Sequence, residues 1–405
     1  MNSNTITLEE VITDMAAGPF GSNLKVSCFV GSGFPIIDGA NLKGYEVTDN
    51  LTKFVTEEKA RSLSRSIAKR NDVVVTISGT LGQIAYIPFD SQYEEYLCSQ
   101  RQFRVSFDTD RVYVPYLVFY FHTYEGQQKI LSFANQTGVP ALSQPLKNFK
   151  RIEMNLPDLD TQKRIASVIE TINAKEEENN KINENLAEQA QGVLNHFMDQ
   201  YQYQLNPLSD IAVVIDCLHS KKPSAIDDST YQLIQLDNIR DDGFLDLSAC
   251  RYMISQADYE NWTRKCEIIE GDCVITNVGR IGAVSQAPYG TRAAMGRNMT
   301  CIRLKSDLQL QAYFITVLLS NHMRRQIQYN TDEGTIMGAL NVKNIPKLLF
   351  PIFGASVMSD LESILYPLRK QIEYNNIQNQ TLAQLRDALL PRLMSGELDV
   401  SNIDL

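Results

Sequence analysis

The segment from Leu156 to Met198 has the hydrophobic pattern of one long helix. Its seam positions recur at alternating steps of four and three for more than four heptads, which is the spacing of a coiled coil. No proline interrupts this seam, and at about 1.5 Å per residue it extends over roughly 50 Å. The seam positions are Ile165, Ile169, Ile172, Glu176, Asn179, Asn183, Leu186, Ala190, Val193 and Phe197.

A second seam lies 196 residues further along the chain. Its positions are Leu361, Leu365, Leu368, Ile372, Asn375, Asn379, Leu382, Arg386, Leu389 and Leu393. Both seams are apolar at their ends and carry two asparagines at the same central positions, Asn179 with Asn183 and Asn375 with Asn379. A seam asparagine needs a polar partner, so the two helices are predicted to pair there, with Leu186 and Leu382 beside the asparagines.

A parallel pair and an antiparallel pair would both bring the four asparagines together. The antiparallel arrangement is favoured because a pseudo-two-fold axis easily relates two repeats of one chain. Pro391 stands where the first segment has Asn195, so the second helix is expected to kink or end there.

The repeat extends into the segments that precede the helices. The segment Asp72–Gly82, DVVVTISGTLG, matches Asp272–Gly282, DCVITNVGRIG, and Ile37–Leu42 matches Ile234–Ile239. The offset stays between 196 and 200, which indicates a duplicated unit of a globular part followed by a long helix.

Each globular part is predicted to mix helices and strands. Val73–Ile77 and Cys273–Thr276 have the composition of buried strands that stop at glycine. Thr56 and Ser255 precede acidic residues and are expected to begin helices. Further helices are predicted over Val114–Leu131 and Leu308–Tyr329.

The fold class is therefore α+β, with two duplicated mixed α/β domains separated by two long helices. We expect a first domain at residues 1–157 and a central spacer helix at 158–200. A second domain is expected at 201–353, and a C-terminal spacer helix and tail at 354–405.

Charge separates the helices from the globular parts. The two helical segments hold −8 of the net charge of −10, and each globular part is only −1. Nearly neutral domains can carry local basic faces, while acidic helices are expected to lie away from phosphate. Seven cysteines without a CxxC pair predict reduced thiols in the cytoplasm, and no apolar run is long enough to span a membrane.

Two GxxG turns and the basic residues near them are the candidate ligand-binding features. Such turns permit close approach to phosphate, although a plain tight turn is the commoner explanation. Arg61, Arg65 and Lys69 recur every four residues, which predicts a basic helix face, although an ordinary solvated surface is an equal alternative for any one residue. The predicted DNA-binding residues are Lys25, Lys43, Arg61, Arg65, Lys69, Arg70, Thr80, Arg101, Lys221, Lys222, Arg240, Arg280, Arg292, Arg297 and Asn298.

The sequence contains no recognisable catalytic motif. There is no GxxxxGK[ST] loop for ATP and no Asn/Asp-Pro-Pro-Tyr tetrad of amino-methyltransferases. The four histidines are dispersed, without an evident set of metal ligands. We therefore expect a non-catalytic protein without a metal.

The order of these motifs resembles that of the specificity subunit of type I restriction–modification enzymes, over essentially the whole chain. The resemblance rests on the Gly18-Pro-Phe-Gly-Ser-Asn-Leu loop, on both GxxG segments and on Leu156-Pro…Gln162-Lys-Arg-Ile165. The sharpest match is Leu385-Arg-Asp-Ala-Leu-Leu-Pro391-Arg-Leu-Met-Ser395-Gly396-Glu-Leu.

The resemblance implies two target-recognition domains that each read half of a bipartite double-stranded DNA site, in phage defence. It implies an antiparallel helix pair that sets the gap between the halves. Two methyltransferase subunits, which bind S-adenosylmethionine, would dock on the helices, and motor-nuclease subunits would join them around a single copy of this chain. No cofactor is expected in the chain itself.

The second unit departs from the first, because Asp216-Cys-Leu-His-Ser-Lys-Lys replaces the Gly-Pro-Phe-Gly loop. The two domains should therefore read different half-sites. Two alternatives remain: a stand-alone nuclease or methyltransferase, and a coiled-coil scaffold without DNA readout.

Overall fold

The computed structural model describes residues 4–135, 139–305, 309–332, 338–401 and 403. The chain forms two compact units, residues 1–174 with 383–405 and residues 175–382. The two boundaries between these units, at residues 174/175 and 382/383, each lie within a long helix. Within the described ranges, every helix is too short or too polar to cross a membrane.

The first unit contains two four-stranded sheets and two strand pairs. The strand orders are β2-β9-β6-β7 and β4-β3-β8-β5, and the pairs are β1-β12 and β10-β11. The strands are β1 Asn4–Thr7, β2 Ile12–Ala17, β3 Phe34–Ile37, β4 Phe54–Val55, β5 Ile67–Lys69, β6 Val73–Thr76, β7 Ile84–Tyr86, β8 Glu95–Cys98, β9 Gln102–Phe107, β10 Ala134–Asn135, β11 Ala141–Leu142 and β12 Glu153–Leu156. The helices are α1 Glu57–Ser62, α2 Val114–His122, α3 Tyr124–Leu131 and α4 Pro145–Lys150, and the long helix α5 Leu159–Gln200 begins in this unit and continues into the second.

The second unit repeats this topology strand for strand. Its sheets have the orders β14-β21-β18-β19 and β16-β15-β20-β17, with the pairs β13-β24 and β22-β23. The strands are β13 Tyr203–Pro207, β14 Ala212–Asp216, β15 Tyr231–Ile234, β16 Met253–Ile254, β17 Glu267–Ile269, β18 Cys273–Thr276, β19 Val284–Gln286, β20 Arg292–Met295, β21 Met299–Leu304, β22 Thr331–Asp332, β23 Ala339–Leu340 and β24 Leu349–Phe353. The helices are α6 Gln256–Trp262, α7 Gln311–Leu318 and α8 Asn321–Tyr329, and the long helix α9 Ala355–Met394 begins in this unit and continues into the first. The predicted duplicated α+β fold is confirmed.

A buried helix lies beneath the first sheet of each unit. All residues of α2 from Val114 to Phe121 are buried, and α7 is buried from Ala312 to Leu318. The long helices bind the N-terminal ends of these buried helices. Gln162 Oε1 accepts a hydrogen bond from the backbone N–H of Tyr113 at 2.8 Å, and Glu362 accepts from the N–H groups of Ala312 and Tyr313 at 3.0 and 2.7 Å. These contacts satisfy amide groups that a helix leaves unpaired at its start.

The long helices pair antiparallel within the second unit. Asn179 Nδ2 donates to Asn379 Oδ1 at 2.8 Å, and Asn375 Nδ2 donates to Asn183 Oδ1 at 2.8 Å. Rising residue numbers on α5 therefore face falling numbers on α9, and the predicted antiparallel arrangement is confirmed there. The Asn179 amide also donates to Gln378 at 2.8 Å. Leu186 and Leu382 are both half-buried.

Two predictions of uninterrupted helices are wrong. The predicted helix over Val114–Leu131 is broken, because Thr123 begins a new helix by accepting a hydrogen bond from the Gly126 N–H. The second predicted helix breaks similarly at Ser320, which accepts from the Met323 N–H, and its proposed start at Leu308 lies outside the described residues. At Pro391, where a kink or an end is expected, α9 continues and ends three residues later, at Met394.

The proposed basic face on one helix is wrong as well. Helix α1 ends at Ser62, Arg65 lies in a 3-10 turn and Lys69 lies in strand β5. The chain leaves the helix because Ile67 and Ala68 are buried in a strand that pairs with β8. Spacing by four therefore does not place these three cations on one face.

Candidate nucleic-acid interface

In the first sheet of each unit, a GxxG turn joins an inner strand to the edge strand beside it, β6 to β7 in the first unit and β18 to β19 in the second. Gly79 and Gly82 have φ of 99° and 86°, and Gly279 and Gly282 have 86° and 78°. Residues with a side chain rarely adopt these values, so glycine is required for backbone reasons. Thr80 is exposed at the first of these turns.

A second turn lies directly beside each GxxG turn. It joins β8 to β9 in the first unit and β20 to β21 in the second. The N–H of Ile77 donates to the carbonyl of Arg101 at 2.6 Å, and the N–H of Asn277 donates to the carbonyl of Asn298 at 2.8 Å. Asn298 has a φ of 65°, which fits an asparagine in a tight turn. The side chains of Arg101 and Arg297 are exposed, and neither has a carboxylate partner in the described part of the chain.

The loop after β2 completes the cluster in the first unit. The N–H of Gly18 donates to the Gln102 carbonyl at 2.8 Å, and a Cβ at Gly18 would lie 1.8 Å from the carbonyl oxygen of Ser99, so only glycine fits. Gln100 Nε2 donates to the carbonyls of Gly21 and Leu24, at 2.8 and 2.7 Å. These contacts tie the loop to the turn that bears Arg101.

Sequence reasoning missed two residues of this loop cluster, Phe20 and Gln100. Phe20 is 75% exposed at the loop tip, which is unusual for a large apolar side chain on a tied loop. A phenylalanine between proline and glycine in a loop was the available signal. The role of Gln100 could not be found from sequence, because its partners are backbone carbonyls more than 70 residues away.

The corresponding segment of the second unit follows β14 and has different chemistry. It carries Asp216, Cys217, His219, Lys221 and Lys222. Both lysines are exposed, and the Lys222 ammonium lies 3.8 Å from the centre of the Tyr252 ring, a cation–π contact.

Six of the predicted DNA-binding cations form ion pairs with acidic residues. Arg61 contacts Glu57 and Glu95, and these two carboxylates raise the pKa of its guanidinium. The other pairs are Lys69–Glu95, Arg70–Glu94, Arg240–Asp242, Arg280–Asp241 and Arg292–Glu267. Arg280 also donates to the Ile239 carbonyl at 2.8 Å, so this side chain is turned toward its own domain. Lys25, Lys43 and Arg65 are exposed.

A buried carboxylate fixes the strand that leads into each GxxG turn. Asp72 accepts from Ser106 Oγ at 2.5 Å and from the Lys69 N–H at 2.9 Å, and burial raises the pKa of its carboxyl. Asp272 accepts the matching backbone bond, from the Ile269 N–H at 2.9 Å. Its oxygens also bind Arg303, at 2.7 and 2.6 Å, in a bidentate pair.

Comparisons with known proteins agree with this architecture. Residues 24–188 match the family described as the type I restriction modification DNA specificity domain. The type I restriction enzyme MjaIX specificity subunit from Methanocaldococcus jannaschii is 21% identical over 412 residues, covering 96% of this chain and 92% of that protein.

Solved structures of two proteins are also similar. The S subunit of a type I restriction-modification system from M. genitalium has a TM-score of 0.55 at 13% identity, covering 97% of this chain and 96% of its own. At this identity the likeness concerns the fold alone. The HsdS subunit from Thermoanaerobacter tengcongensis has a TM-score of 0.35 at 12% identity, covering 98% of this chain and 97% of its own.

Proposed function

We propose that this chain, of which residues 24–188 match the type I restriction modification DNA specificity domain, is a specificity protein of that kind and recognises a bipartite DNA target with one half-site per unit. The observation that carries the proposal is the repeated loop cluster. The same GxxG turn and the same neighbouring turn occur at the same sheet in both units, with different side chains around them. Two equivalent surfaces of different chemistry suit two half-sites of different sequence.

Within each cluster, the backbone and the side chains have separate tasks. The glycine turns let backbone N–H groups approach phosphate, which positions the duplex without reading its sequence. Arg101 and Arg297 are the strongest candidates for base contacts, because an arginine without a carboxylate partner can bind the O6 and N7 atoms of guanine. Phe20 is placed to contact a thymine methyl group or to insert at a base step.

The six ion-paired cations fit a supporting role better than a base-reading role. A guanidinium already bound to a carboxylate must exchange that partner before it can bind a base, so such residues are expected to contribute mainly to the local potential. Lys25, Lys43, Lys221 and Lys222 are proposed phosphate contacts. The remaining candidates, Arg65, Thr80 and Asn298, are exposed and lie in turns.

We further propose that the chain itself performs no catalysis and holds no cofactor. Methylation would come from two methyltransferase subunits that bind S-adenosylmethionine and dock on the long helices, with one copy of this chain per complex. Motor-nuclease subunits would join for restriction. The acidic composition of the helices supports a role away from DNA phosphate.

The first test separates the half-sites. Methylation-sensitive sequencing of host DNA would identify the target, and affinity would then be measured with the methyltransferase partner present. Arg101→Ala should weaken binding by about 1–3 kcal/mol and relax specificity in one half-site, and Arg297→Ala should do the same in the other. Arg292→Ala, which removes an ion-paired cation, is the matched control. If these variants lost the same affinity for every DNA sequence, the two arginines would contact phosphates instead of bases.

The second test concerns the long helices as the element that sets the gap. One heptad would be inserted after Glu178 and another after Asn379, which lie opposite each other because Asn179 pairs with Asn379. A heptad preserves the seam, so the helices should still pair. The preferred gap should lengthen by about three base pairs, since seven residues add roughly 10 Å.

The inserted variant should bind the native site poorly. Three added base pairs also rotate the half-sites by roughly 100° relative to each other, so recovery on a lengthened site should be partial. Affinity across sites whose gaps differ by single base pairs is the measurement. A folded variant that still prefers the native gap would exclude the helices as the ruler.

A further inference from the structure

Three potential metal ligands converge directly after strand β14. One side-chain atom each of Asp216, Cys217 and His219 lies within 4.8 Å of the others. His219 Nε2 lies 2.7 Å from Asp216 Oδ2, and Cys217 is only 2% exposed. The second carboxylate oxygen, Asp216 Oδ1, is buried and accepts no hydrogen bond within the described residues.

We propose that Asp216, Cys217 and His219 bind a divalent metal ion of the zinc class. A thiolate, an imidazole and a carboxylate form a ligand set typical of Zn²⁺, which prefers four ligands in a tetrahedral arrangement. His219 is 69% exposed in its side chain, so the fourth position faces solvent and takes a water molecule. The Cys217 thiol loses its proton to solvent when the metal binds, because only the thiolate is a ligand.

The unpaired oxygen of Asp216 is the observation that favours a metal over a simple ion pair. A buried carboxylate oxygen without a partner is costly, and a metal ion would satisfy it. Lys265 Nζ donates to the backbone carbonyl of Cys217 at 3.3 Å, and within the described residues it forms no ion pair with the Asp216 carboxylate.

The first unit has a contact that anchors the loop after β2, and the second unit lacks the corresponding contact after β14. The strand pairs Ala17 with Phe103 and Asp216 with Thr300 correspond, which places Arg297 where the first unit has Gln100. Gln100 ties its loop through two hydrogen bonds, whereas Arg297 makes none to the segment after β14 in the described structure. Residues 217–230 form neither helix nor strand, and a metal would anchor their beginning.

A second cluster in the same unit is a poorer metal site. Cys266, Asp272 and Cys301 also bring one atom each within 4.8 Å. Both oxygens of Asp272 are already bound by the Arg303 guanidinium, at 2.7 and 2.6 Å. A cation entering there would meet a fixed positive charge, so the inference is confined to the first cluster.

The experiment is titration of the full chain with Co²⁺, followed by competition with Zn²⁺. Thiolate coordination to Co²⁺ produces a charge-transfer absorption band in the near ultraviolet, which an Asp–His pair alone cannot produce. We expect one saturable band per chain, displaced by Zn²⁺. Cys217→Ser should abolish the band, and Cys250→Ser, which changes a half-buried thiol outside the cluster, should leave it intact.

His219→Ala keeps the test decisive if the buried Cys217 does not tolerate substitution. Because His219 is exposed, its removal should not unfold the domain, and the affinity for Co²⁺ should fall at least about tenfold, since even outer-shell changes cost that much. A band that persists in Cys217→Ser, or the absence of any saturable band in the wild-type chain, would overturn the proposal. Neither result bears on DNA recognition, which is measured separately.

Discussion

In the first unit the loop after β2 begins at a glycine that no other residue could replace, and Gln100 holds it through two carbonyls. In the second unit the corresponding segment begins at Asp216 and contains a thiol, an imidazole and two lysines. The strand order beneath both segments is the same. The duplicated framework therefore leaves the loop chemistry free to differ, as the two proposed half-sites would require.

The two units also differ inside the framework. Asp72 and Asp272 occupy the same position and accept the same backbone hydrogen bond, but Ser106 completes the first site and Arg303 the second. Asp72 thus has a hydroxyl partner, with the Arg104 guanidinium 4.0 Å away, whereas Asp272 is bound directly by a bidentate guanidinium. Shared architecture fixes where a polar group is buried, whereas the neighbouring side chains decide how it is satisfied.

The largest expected effect follows from removing that cation. Arg303→Leu leaves Asp272, whose side chain is 2% exposed, without its ion-pair partner and should destabilise the second unit by about 3–5 kcal/mol. The measurement is urea unfolding followed by the fluorescence of Trp262, which is the single tryptophan and is buried in this unit.

Two control variants sharpen that comparison. Ser106→Ala removes the neutral partner of Asp72 and should cost only about 1–3 kcal/mol in the first unit, measured by hydrogen exchange. Arg292→Leu removes an exposed ion pair and should cost less than about 1 kcal/mol. If Arg303→Leu cost no more than Arg292→Leu, the two ion pairs would be equivalent and the comparison would fail.

The next effect compares two asparagines of α9, the seam residue Asn379 and its neighbour Asn376. Asn379→Leu removes an amide that donates to Asn180 at 2.9 Å and accepts from Asn179, and it should cost about 1–3 kcal/mol. Asn376 occupies the position equivalent to Asn180, yet neither of its side-chain polar atoms has a partner in the described structure.

Asn376→Leu should therefore stabilise the protein, by about 1 kcal/mol, because it removes a buried polar group without a hydrogen bond. Thermal unfolding of both variants beside the wild type is the measurement. Stabilisation by Asn379→Leu, or destabilisation by Asn376→Leu of the same size as by Asn379→Leu, would contradict the pairing seen here.

A smaller effect concerns the tie of the first loop. Gln100→Ala should free the loop that bears Phe20 and weaken binding at the first half-site by about 1 kcal/mol, because two hydrogen bonds to backbone are lost. Binding at the second half-site should not change. A matched variant, Gln92→Ala, removes a glutamine side chain outside the loop cluster. Equal weakening of both half-sites would argue against a local role for Gln100.

The smallest effect is a difference in pH dependence between the two helix caps. Gln162 caps α2 with a neutral amide, whereas Glu362 caps α7 with a carboxyl whose pKa burial raises above its ordinary value of 4.5. The folded protein therefore holds this proton to higher pH than the unfolded chain. The associated stability is complete below about pH 4.5 and is lost as pH rises through the raised pKa.

Glu362→Gln should remove this loss of stability with rising pH. The free energy of unfolding of the variant should therefore change less between pH 4.5 and pH 7 than that of the wild type. Unfolding followed by Trp262 at several pH values is the measurement. Parallel profiles of variant and wild type would show that Glu362 does not titrate in this range.

Much of the fold was predictable because it depends on periodic burial. The seams and the duplicated segments place apolar residues at regular positions, and the structure buries Ile165, Ile169, Leu361 and Leu365 accordingly. The helix breaks at Thr123 and Ser320 were missed because capping by a hydroxyl competes with an otherwise continuous helical pattern.

The basic residues were less predictable, for a different physical reason. Whether an arginine is available depends on carboxylates that are distant in sequence, as Glu95 is from Arg61 and Asp241 is from Arg280. Composition and spacing contain no information on such partners. Exposure of Phe20 likewise depends on the fold of the loop, since phenylalanine is ordinarily buried.

The first and last strands of each globular part are hydrogen-bonded neighbours. Asn4 pairs with Leu156, and Tyr203 pairs with Phe353, so the chain enters and leaves each part at one place. A segment whose ends are adjacent can be replaced by another of the same framework without rearranging what surrounds it. If the proposed function is correct, genetic recombination at these two points would exchange one half of the target specificity, and a circular permutation could open either part at one of its exposed loops.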